Sequence, residues 1–252
     1  MPIGGDAMRK TVFAGLGAVL LCAAVASAAG PHFRTDAFRT SAGELVITVV
    51  GHATLMMTWG GKVLHIDPVT EQADYTKLPK ADLILVTHEH ADHLDPAAIG
   101  LIRTKGTAVL APETAARRIP GAVVLRNGDV RTIQGVRIEA VPAYNLVHMR
   151  KPGVPFHPRG IGNGYIVTFG DTRVYIAGDT ENTPEMKRLK GIDIAFLPMN
   201  RPYTMTPEMV ADAAKAFRPK ILYPYHTGGT DTGRLVNLLR DAGGIDLRTK
   251  NP

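Results

Sequence analysis

The strongest constraint on the fold is a short apolar segment that leads directly into a cluster of histidines and carboxylates. Residues 82–87 read DLILVT, a nearly unbroken apolar run that is typical of a strand buried on both faces of a sheet. The next six residues, His88 to His93, contain three imidazoles and two carboxylates. Few structural roles require so many titratable side chains in one place. The sequence therefore predicts an α/β fold with a functional site at the carboxyl end of this strand.

The cluster has the chemistry of a metal site. Imidazole nitrogens and carboxylate oxygens suit Zn²⁺, and iron and manganese are alternatives. Asp179 and His226 each follow a later predicted strand, and with the cluster they become candidate ligands. Taken alone, each could be an ordinary Asp in a glycine turn or a histidine at a sheet edge. The alternative interpretation of the cluster itself is a solvated polar loop.

The rest of the chain predicts alternating strands and helices in one α/β domain over residues 40–252. Predicted strands cover residues 44–50, 55–58, 62–66, 82–87, 107–111, 122–126, 129–133, 136–141, 165–169, 173–177, 192–197 and 221–224. Two helices are expected to begin at Thr183 and Thr206, since each hydroxyl precedes a proline and an acidic residue. Residues 151–164 are rich in glycine and proline and predict a mobile loop beside the site.

Residues 1–28 have the pattern of a secretory signal peptide. Arg9 and Lys10 precede an apolar run over residues 12–25, and small residues favour cleavage after Ala28. A membrane anchor is the alternative, but the run is shorter than the roughly 20 residues of a spanning helix. Cys22, the only cysteine, lies within the apolar run. We therefore expect a protein exported to the periplasm or secreted, with no stable membrane anchor after cleavage and no thiolate ligand.

The charge balance alone does not identify a partner, and the substrate we expect is a small molecule. The chain carries 29 Lys and Arg against 23 Asp and Glu, a net charge of +6, without a dense basic stripe. This excess is compatible with an anionic substrate, but nucleic acid is not expected as a partner. Arg159, Lys151 and Arg201 are candidates to hold an anionic group near the predicted site. The sequence does not define an oligomeric state.

Five short motifs together resemble the metallo-β-lactamase superfamily of metallohydrolases. They are T-H-E-H-A-D-H at 87–93, A-G-D-T at 177–180, the late His226, G-H-A-T at 51–54 and I-D-P at 66–68. Within the superfamily, the chain looks like the branch of L-ascorbate-6-phosphate lactonase-like and N-acyl-phosphatidylethanolamine phospholipase D-like proteins. The resemblance implies an αβ/βα four-layer sandwich of two mixed β-sheets faced by helices.

The resemblance also implies a ligand set for one or two metal ions, expected to be zinc. His88 and His90 would hold the first ion, Asp92, His93 and His226 the second, and Asp179 would bridge them. Asp67 would support a ligand by a hydrogen bond rather than bind metal. His52 would lie near the site, where it contacts substrate or is a buried, hydrogen-bonded histidine.

One position departs from the family pattern. The third histidine of the first metal usually occurs in a Pro-Ala-x-His context, whereas residues 142–145 read Pro-Ala-Tyr-Asn. Asn145 is a weaker zinc ligand than histidine. Three outcomes are open: the first site is loose, it recruits His148 or His157, or it stays empty.

The expected function is hydrolysis of an ester-like bond, such as a lactone or phosphodiester, by a metal-bound hydroxide that Asp92 orients. The alternative is a metal-binding or catalytically degenerate exported protein of the same fold. A di-iron oxidoreductase is disfavoured, because that class needs a glutamate where His90 stands and a flavin partner. Nuclease and antibiotic β-lactam hydrolysis are weaker enzymatic alternatives.

Overall fold

Two seven-stranded sheets form the framework of the molecule in a computed structural model, which describes Met1 and residues 33–249. The strands of the first sheet follow one another in sequence order. They are β1 (Arg34–Thr40), β2 (Gly43–Gly51), β3 (Thr54–Trp59), β4 (Lys62–Ile66), β5 (Leu83–Leu85), β6 (Ala108–Ala111) and β7 (Val123–Val124). Strands β1 to β4 pair antiparallel, whereas β4 to β7 pair parallel, so the sheet is mixed.

The second sheet is mixed as well and has the order β16-β15-β14-β13-β12-β9-β8. Its strands are β8 (Val130–Ile133), β9 (Val136–Ala143), β12 (Gly162–Phe169), β13 (Thr172–Ile176), β14 (Ile194–Pro198), β15 (Ile221–Tyr225) and β16 (Asp246–Leu247). Between β9 and β12 a small separate hairpin forms from β10 (Met149–Lys151) and β11 (Val154–Pro155). Strands β13 to β16 pair in parallel, so the carboxyl ends of β13 and β15 lie at the same edge.

Five helices cover the outer faces of the sheets in the described part of the chain. They are α1 (Pro96–Ile102), α2 (Glu113–Ala116), α3 (Pro184–Lys187), α4 (Pro207–Phe217) and α5 (Thr232–Leu239). Helices α3 and α4 begin as the sequence predicts: the Thr183 hydroxyl accepts from the Met186 amide, and the Thr206 hydroxyl accepts from the Met209 amide. A proline in the first turn of each needs no amide partner, which fixes the start of the helix.

Three apolar cores define four layers. The inner faces of the two sheets pack on each other, for example Leu55 and Ile66 with Val167 and Phe196. On the outside of the first sheet, α1 and α2 cover β5 and β6; on the outside of the second, α3, α4 and α5 cover β12 to β15. The predicted α/β fold, an αβ/βα four-layer sandwich of two mixed sheets, is confirmed.

Most predicted strands are present with ends that differ by a few residues, but one segment is different. The sequence predicts a mobile loop over residues 151–164, and the structure shows that this segment contributes to the β10–β11 hairpin and to the start of β12. The antiparallel pairing of residues 149–151 with residues 154–155 closes this segment into a defined turn.

The predicted signal peptide, residues 1–28 with Cys22, lies outside the described residues apart from Met1 and stays a prediction. Within the described residues, no helix combines the length and apolar character that crossing a membrane requires.

Candidate metal centre

The histidine cluster and the later candidate ligands meet at one edge of the two sheets. Residues 88–93 follow β5 of the first sheet, whereas Asp179 follows β13 and His226 follows β15 of the second. His52, in the turn between β2 and β3, accepts a backbone hydrogen bond from the amide of His226 at 2.9 Å. This contact joins the two sheets directly beside the cluster.

Eight side chains form two groups of potential metal donors. In each group, one nitrogen or oxygen atom from every member lies within 4.8 Å of the corresponding atoms of the others. The first group is His88, His90, His157 and Asp179; the second is His52, Asp92, His93 and His226. The six ligands that the resemblance implies are thus brought together, and His157 and His52 join them.

Asp179 connects the two groups through both of its carboxylate oxygens. Its Oδ1 lies 3.2 Å from Nε2 of His93, while its Oδ2 lies 3.2 Å from Nε2 of His157 and 3.5 Å from Nε2 of His226. The Asp179 side chain is almost completely buried. One carboxylate therefore faces both donor groups, the arrangement that a bridging ligand requires.

Unpartnered buried atoms provide a test of whether a metal ion fits. Among the described residues, Nε2 of His88, His93 and His226 and Oδ1 of Asp179 are buried without a hydrogen-bond partner. Buried polar atoms in proteins are nearly always paired, so four such atoms at one point are unusual. All four are lone-pair donors of the type that binds Zn²⁺, iron or manganese. The donor set fits a divalent metal.

At the position of the departure, His157 rather than Asn145 lies with His88 and His90 in the first donor group. Asn145 Oδ1 accepts hydrogen bonds from Nδ1 of His157 at 2.7 Å and from the His157 backbone amide at 2.9 Å. Nε2 of His157 lies 3.3 Å from Nδ1 of His90. Asn145 therefore lies behind the first donor group and belongs to neither group.

His148, the other histidine considered for the first site, points away from both groups. Its Nδ1 donates to Oε1 of Glu181 at 2.6 Å, and its backbone amide donates to the same oxygen at 2.8 Å. Glu181 is fully buried and also accepts from the Asn145 side-chain amide at 3.1 Å. His148 is therefore not a member of either donor group, and Glu181 holds its imidazole.

Asp67 holds His93 and Thr87 in place by hydrogen bonds. Its Oδ2 accepts from Nδ1 of His93 at 2.8 Å and from the Thr87 hydroxyl at 2.6 Å, and its Oδ1 accepts from the Thr87 amide at 2.7 Å. Because Nδ1 of His93 carries the donated proton, its Nε2 presents a lone pair to the donor group. Asp67 is fully buried and is not a member of either group.

The carboxylates of the centre are ionised. Burial alone would raise the pKa of Asp92, but the imidazoles of His226 and His52 beside it hold it far below its usual value. Burial would likewise raise the pKa of Asp179, whereas the nearby His93 and His226 lower it well below its usual value. Burial would lower the pKa of His93, but Asp179 and Asp67 raise it well above the usual value in the metal-free chain. A cation is therefore favoured between these groups.

Three residues at the centre adopt a backbone conformation that L-amino acids rarely use. His52, Asp67 and His226 have φ values of 46°, 45° and 47°. Such a left-handed conformation is unfavourable outside glycine and is kept where the surrounding structure imposes it, often at functional sites. The sequence around these three residues does not indicate the left-handed conformation.

An open cavity of about 430 Å³ lies in front of the donor atoms. It is lined by His52, His90, Ala91, Asp92, Arg150, Phe156, His157, Asp179, Asn200, Tyr203 and His226. Sequence reasoning missed Arg150, Asn200 and Tyr203, since their approach to the site depends on the path of the β10–β11 hairpin and of the segment after β14.

The three cations proposed from the sequence do not line this cavity. Arg159 is paired with Glu185 at 2.6 Å and lies over the Tyr144 ring. Lys151 and Arg201 are exposed and are absent from the cavity wall. The expectation that these side chains face the site is therefore wrong, and the cation in the wall is Arg150.

Comparison with known proteins gives matches over most of the chain. Residues 46–226 match the family model of the beta-lactamase superfamily domain. A UPF0173 metal-dependent hydrolase of Thermococcus kodakarensis is 34% identical over 195 residues, which covers 71% of this chain and 83% of the relative.

Solved structures share the same architecture. A crystal structure from Parabacteroides distasonis, assigned to the metal-dependent hydrolases, is 52% identical and has a TM-score of 0.82; the match covers 86% of this chain and 98% of that one. Igni18, a metallo hydrolase of Ignicoccus hospitalis, has a TM-score of 0.65 at 24% identity, with 82% of this chain and 94% of that chain covered. The second likeness concerns the fold alone.

Proposed function

The chain belongs to the beta-lactamase superfamily of metal-dependent hydrolases, and we propose that it hydrolyses an ester-like bond at a two-metal centre. The substrate class we propose is a lactone, a phosphodiester or a related small anionic molecule. The observation that carries the proposal is the pair of donor groups joined by Asp179, with four buried donor atoms that lack any other partner among the described residues.

The first ion would be held by His88, His90, His157 and Asp179, and the second by Asp92, His93, His226 and Asp179, with His52 adjacent. We propose zinc, with iron or manganese as alternatives that use the same donors. When bound, these ions would supply Lewis-acid chemistry, which activates a water molecule and polarises the carbonyl or phosphoryl oxygen.

Asp92 is the residue we propose to orient the attacking water. Its side chain is 46% exposed and faces the cavity, whereas Asp179 is 4% exposed. Nε2 of His52 and Nε2 of His226 lie 3.2 Å and 3.3 Å from its Oδ2, which fixes the carboxylate and keeps it ionised. An ionised, positioned carboxylate accepts a hydrogen bond from water and so orients that water toward the substrate.

The proposal is tested by metal content and by turnover of a substrate panel. Elemental analysis of the purified chain is expected to give two ions, and the metal-loaded protein is expected to hydrolyse at least one class among aryl esters, lactones and phosphodiesters. Asp92→Asn should lower kcat about 100-fold or more with an unchanged thermal midpoint. Asp129→Asn is the matched control, since Asp129 lies at a turn before β8.

Two results would contradict the proposal. Absence of bound metal would overturn the metal centre itself. Two bound ions with no hydrolysis across the whole panel would instead support a metal-binding protein that has lost catalysis.

A further inference from the structure

Arg150 lines the same cavity as the metal donors. It lies on β10, and it lines the same cavity as His52, Asp92 and His226. At about 430 Å³, the cavity has the size of a small-molecule site. A molecule bound there can contact both the donor groups and the guanidinium, since both line the cavity.

The side chain of Arg150 lies over an aromatic ring. Its guanidinium carbon lies 5.7 Å from the centre of the Phe156 ring, and Phe156 packs edge-on against Tyr203 with ring centres 5.1 Å apart. Phe156 and Tyr203 line the same cavity. Stacking on an aromatic ring holds a guanidinium in place and leaves its N–H groups free to bind a ligand.

The charge of Arg150 has no counterion within the described residues. None of the ion pairs or side-chain hydrogen bonds of residues 33–249 includes Arg150, whereas Arg159 is neutralised by Glu185 at 2.6 Å. Arginine is the side chain best suited to bind carboxylate or phosphate through two parallel hydrogen bonds. An unpaired guanidinium in a cavity wall is therefore suited to an anionic ligand.

We propose that Arg150, held by Phe156, binds an anionic oxygen group of the substrate, a carboxylate or a phosphate, within the cavity that the metal donors line. This inference rests on the proposed hydrolase function and specifies its substrate class: the substrate carries this anionic group in addition to the bond that is cleaved. Arg150 is thus a specificity-determining residue rather than part of the bond-breaking machinery.

The test combines hydrolysis and binding, using the metal-loaded full chain. The matched ester pair is 4-nitrophenyl hydrogen succinate, which carries a carboxylate, and neutral 4-nitrophenyl acetate. Binding of succinate and of methyl phosphate is measured by calorimetry and distinguishes a carboxylate from a phosphate site. The variants are Arg150→Gln, Arg150→Lys and the control Lys151→Gln, which removes the same charge from the same hairpin outside the cavity wall.

Arg150→Gln is expected to weaken binding of at least one probe anion about 10-fold to 100-fold, with an unchanged thermal midpoint. If the esters are hydrolysed, the same variant should lower kcat/KM for the succinate ester while that for the acetate ester stays within twofold. Arg150→Lys should retain part of the affinity, and Lys151→Gln should stay within twofold of the unmodified chain.

The inference is overturned if the unmodified chain binds neither probe at millimolar concentration, or if Arg150→Gln binds both as the unmodified chain does. An equal loss in Lys151→Gln would also overturn it, since the net positive charge of the hairpin would then explain the weaker binding. If neither ester is hydrolysed, the esterase activity proposed above fails for these substrates, while the binding arm still decides the role of Arg150.

Discussion

Oδ1 of Asn145 accepts a hydrogen bond from Nδ1 of His157 at 2.7 Å, so that Nε2 of His157 faces the other members of the first donor group. The Asn145 side-chain amide is fixed in turn, because its Nδ2 donates to Oε1 of Glu181 at 3.1 Å and to the carbonyl oxygen of Tyr203 at 2.9 Å. An asparagine at the position of a missing ligand thus supports a histidine 12 residues later in the chain.

Asn145→Ala is expected to weaken metal binding at the first group about 10-fold to 100-fold, because partners that orient a metal-binding histidine contribute this much to affinity. The second group has no contact with Asn145 and should keep its ion. Competition with a chromophoric chelator, read together with elemental analysis, should then show one tightly bound ion per chain rather than two.

Two further variants make this prediction specific to Asn145. Asn182→Ala removes an asparagine whose amide donates to Asp212 at 2.6 Å, away from the centre, and should leave both ions in place. Asn145→His should not raise the metal content, since His157 already occupies the first group. Two tight sites in Asn145→Ala would show that Asn145 does not orient His157.

The sequence predicts those site residues that directly follow a recognisable strand. The T-H-E-H-A-D-H motif follows directly from an apolar strand, and Asp179 and His226 each follow another, so the topology of the sheets brings them to one edge. His157 and Arg150 are different. Both lie on the segment from β9 to β12, whose path depends on hydrogen bonds to the distant Glu181 and on packing against Tyr203. Such long-range contacts leave no periodic pattern in the sequence.

Asp67→Asn should lower the free energy of unfolding by about 2–4 kcal/mol, since it disturbs a fully buried carboxylate that accepts three hydrogen bonds. In asparagine one of the two oxygens becomes an NH₂ group, which would face the donors that Asp67 now accepts from. Urea unfolding measures the change. Asp82→Asn is the matched control: Asp82 accepts from the Val63 amide at 2.8 Å in a partly buried position, and a loss of about 1 kcal/mol is expected there. Equal losses in both variants would contradict a special role for Asp67.

Gly178→Ala should displace Asp179 and weaken metal binding. Gly178 has φ of +65°, and a Cβ there would lie 2.8 Å from the carbonyl oxygen of Asn163 and 3.1 Å from Cβ of Thr87. Because the first of these atoms is backbone, the turn that carries Asp179 must move. Chelator competition should reveal weaker binding, and urea unfolding a loss of more than about 1 kcal/mol.

Gly60→Ala separates backbone strain from steric displacement in this test. Gly60 has a similar φ of +56°, but no atom lies within 4 Å of the position that a Cβ would take, and it is remote in sequence from the cluster. This variant should lose stability through strain alone and bind metal as the unmodified chain does. Normal metal binding in Gly178→Ala would show that the turn tolerates the methyl group.

His65 predicts an acid sensitivity that is independent of the metal ligands. Its imidazole is fully buried on β4; Nε2 lies 3.1 Å from the carbonyl oxygen of Pro79, and Nδ1 has no partner among the described residues. Burial lowers its pKa to about 4, although the hydrogen bond to Pro79 acts in the opposite direction. Protonation would place an N–H with no acceptor in the core, so the folded protein keeps this histidine neutral until the pH approaches 4.

The sign of the effect follows from proton uptake by the unfolded chain. Below pH 6.5 the unfolded chain protonates His65 and the folded chain does not, so the free energy of unfolding falls as the pH is lowered from 6.5 towards 4. Between about pH 7 and pH 4.5 this histidine should account for about 2 kcal/mol of that fall. Urea unfolding of the unmodified chain and of His65→Gln at both pH values measures it, because every other titrating group is common to the two proteins. The fall should be smaller in His65→Gln by that amount, and an equal fall in both proteins would show that His65 titrates normally in the folded state.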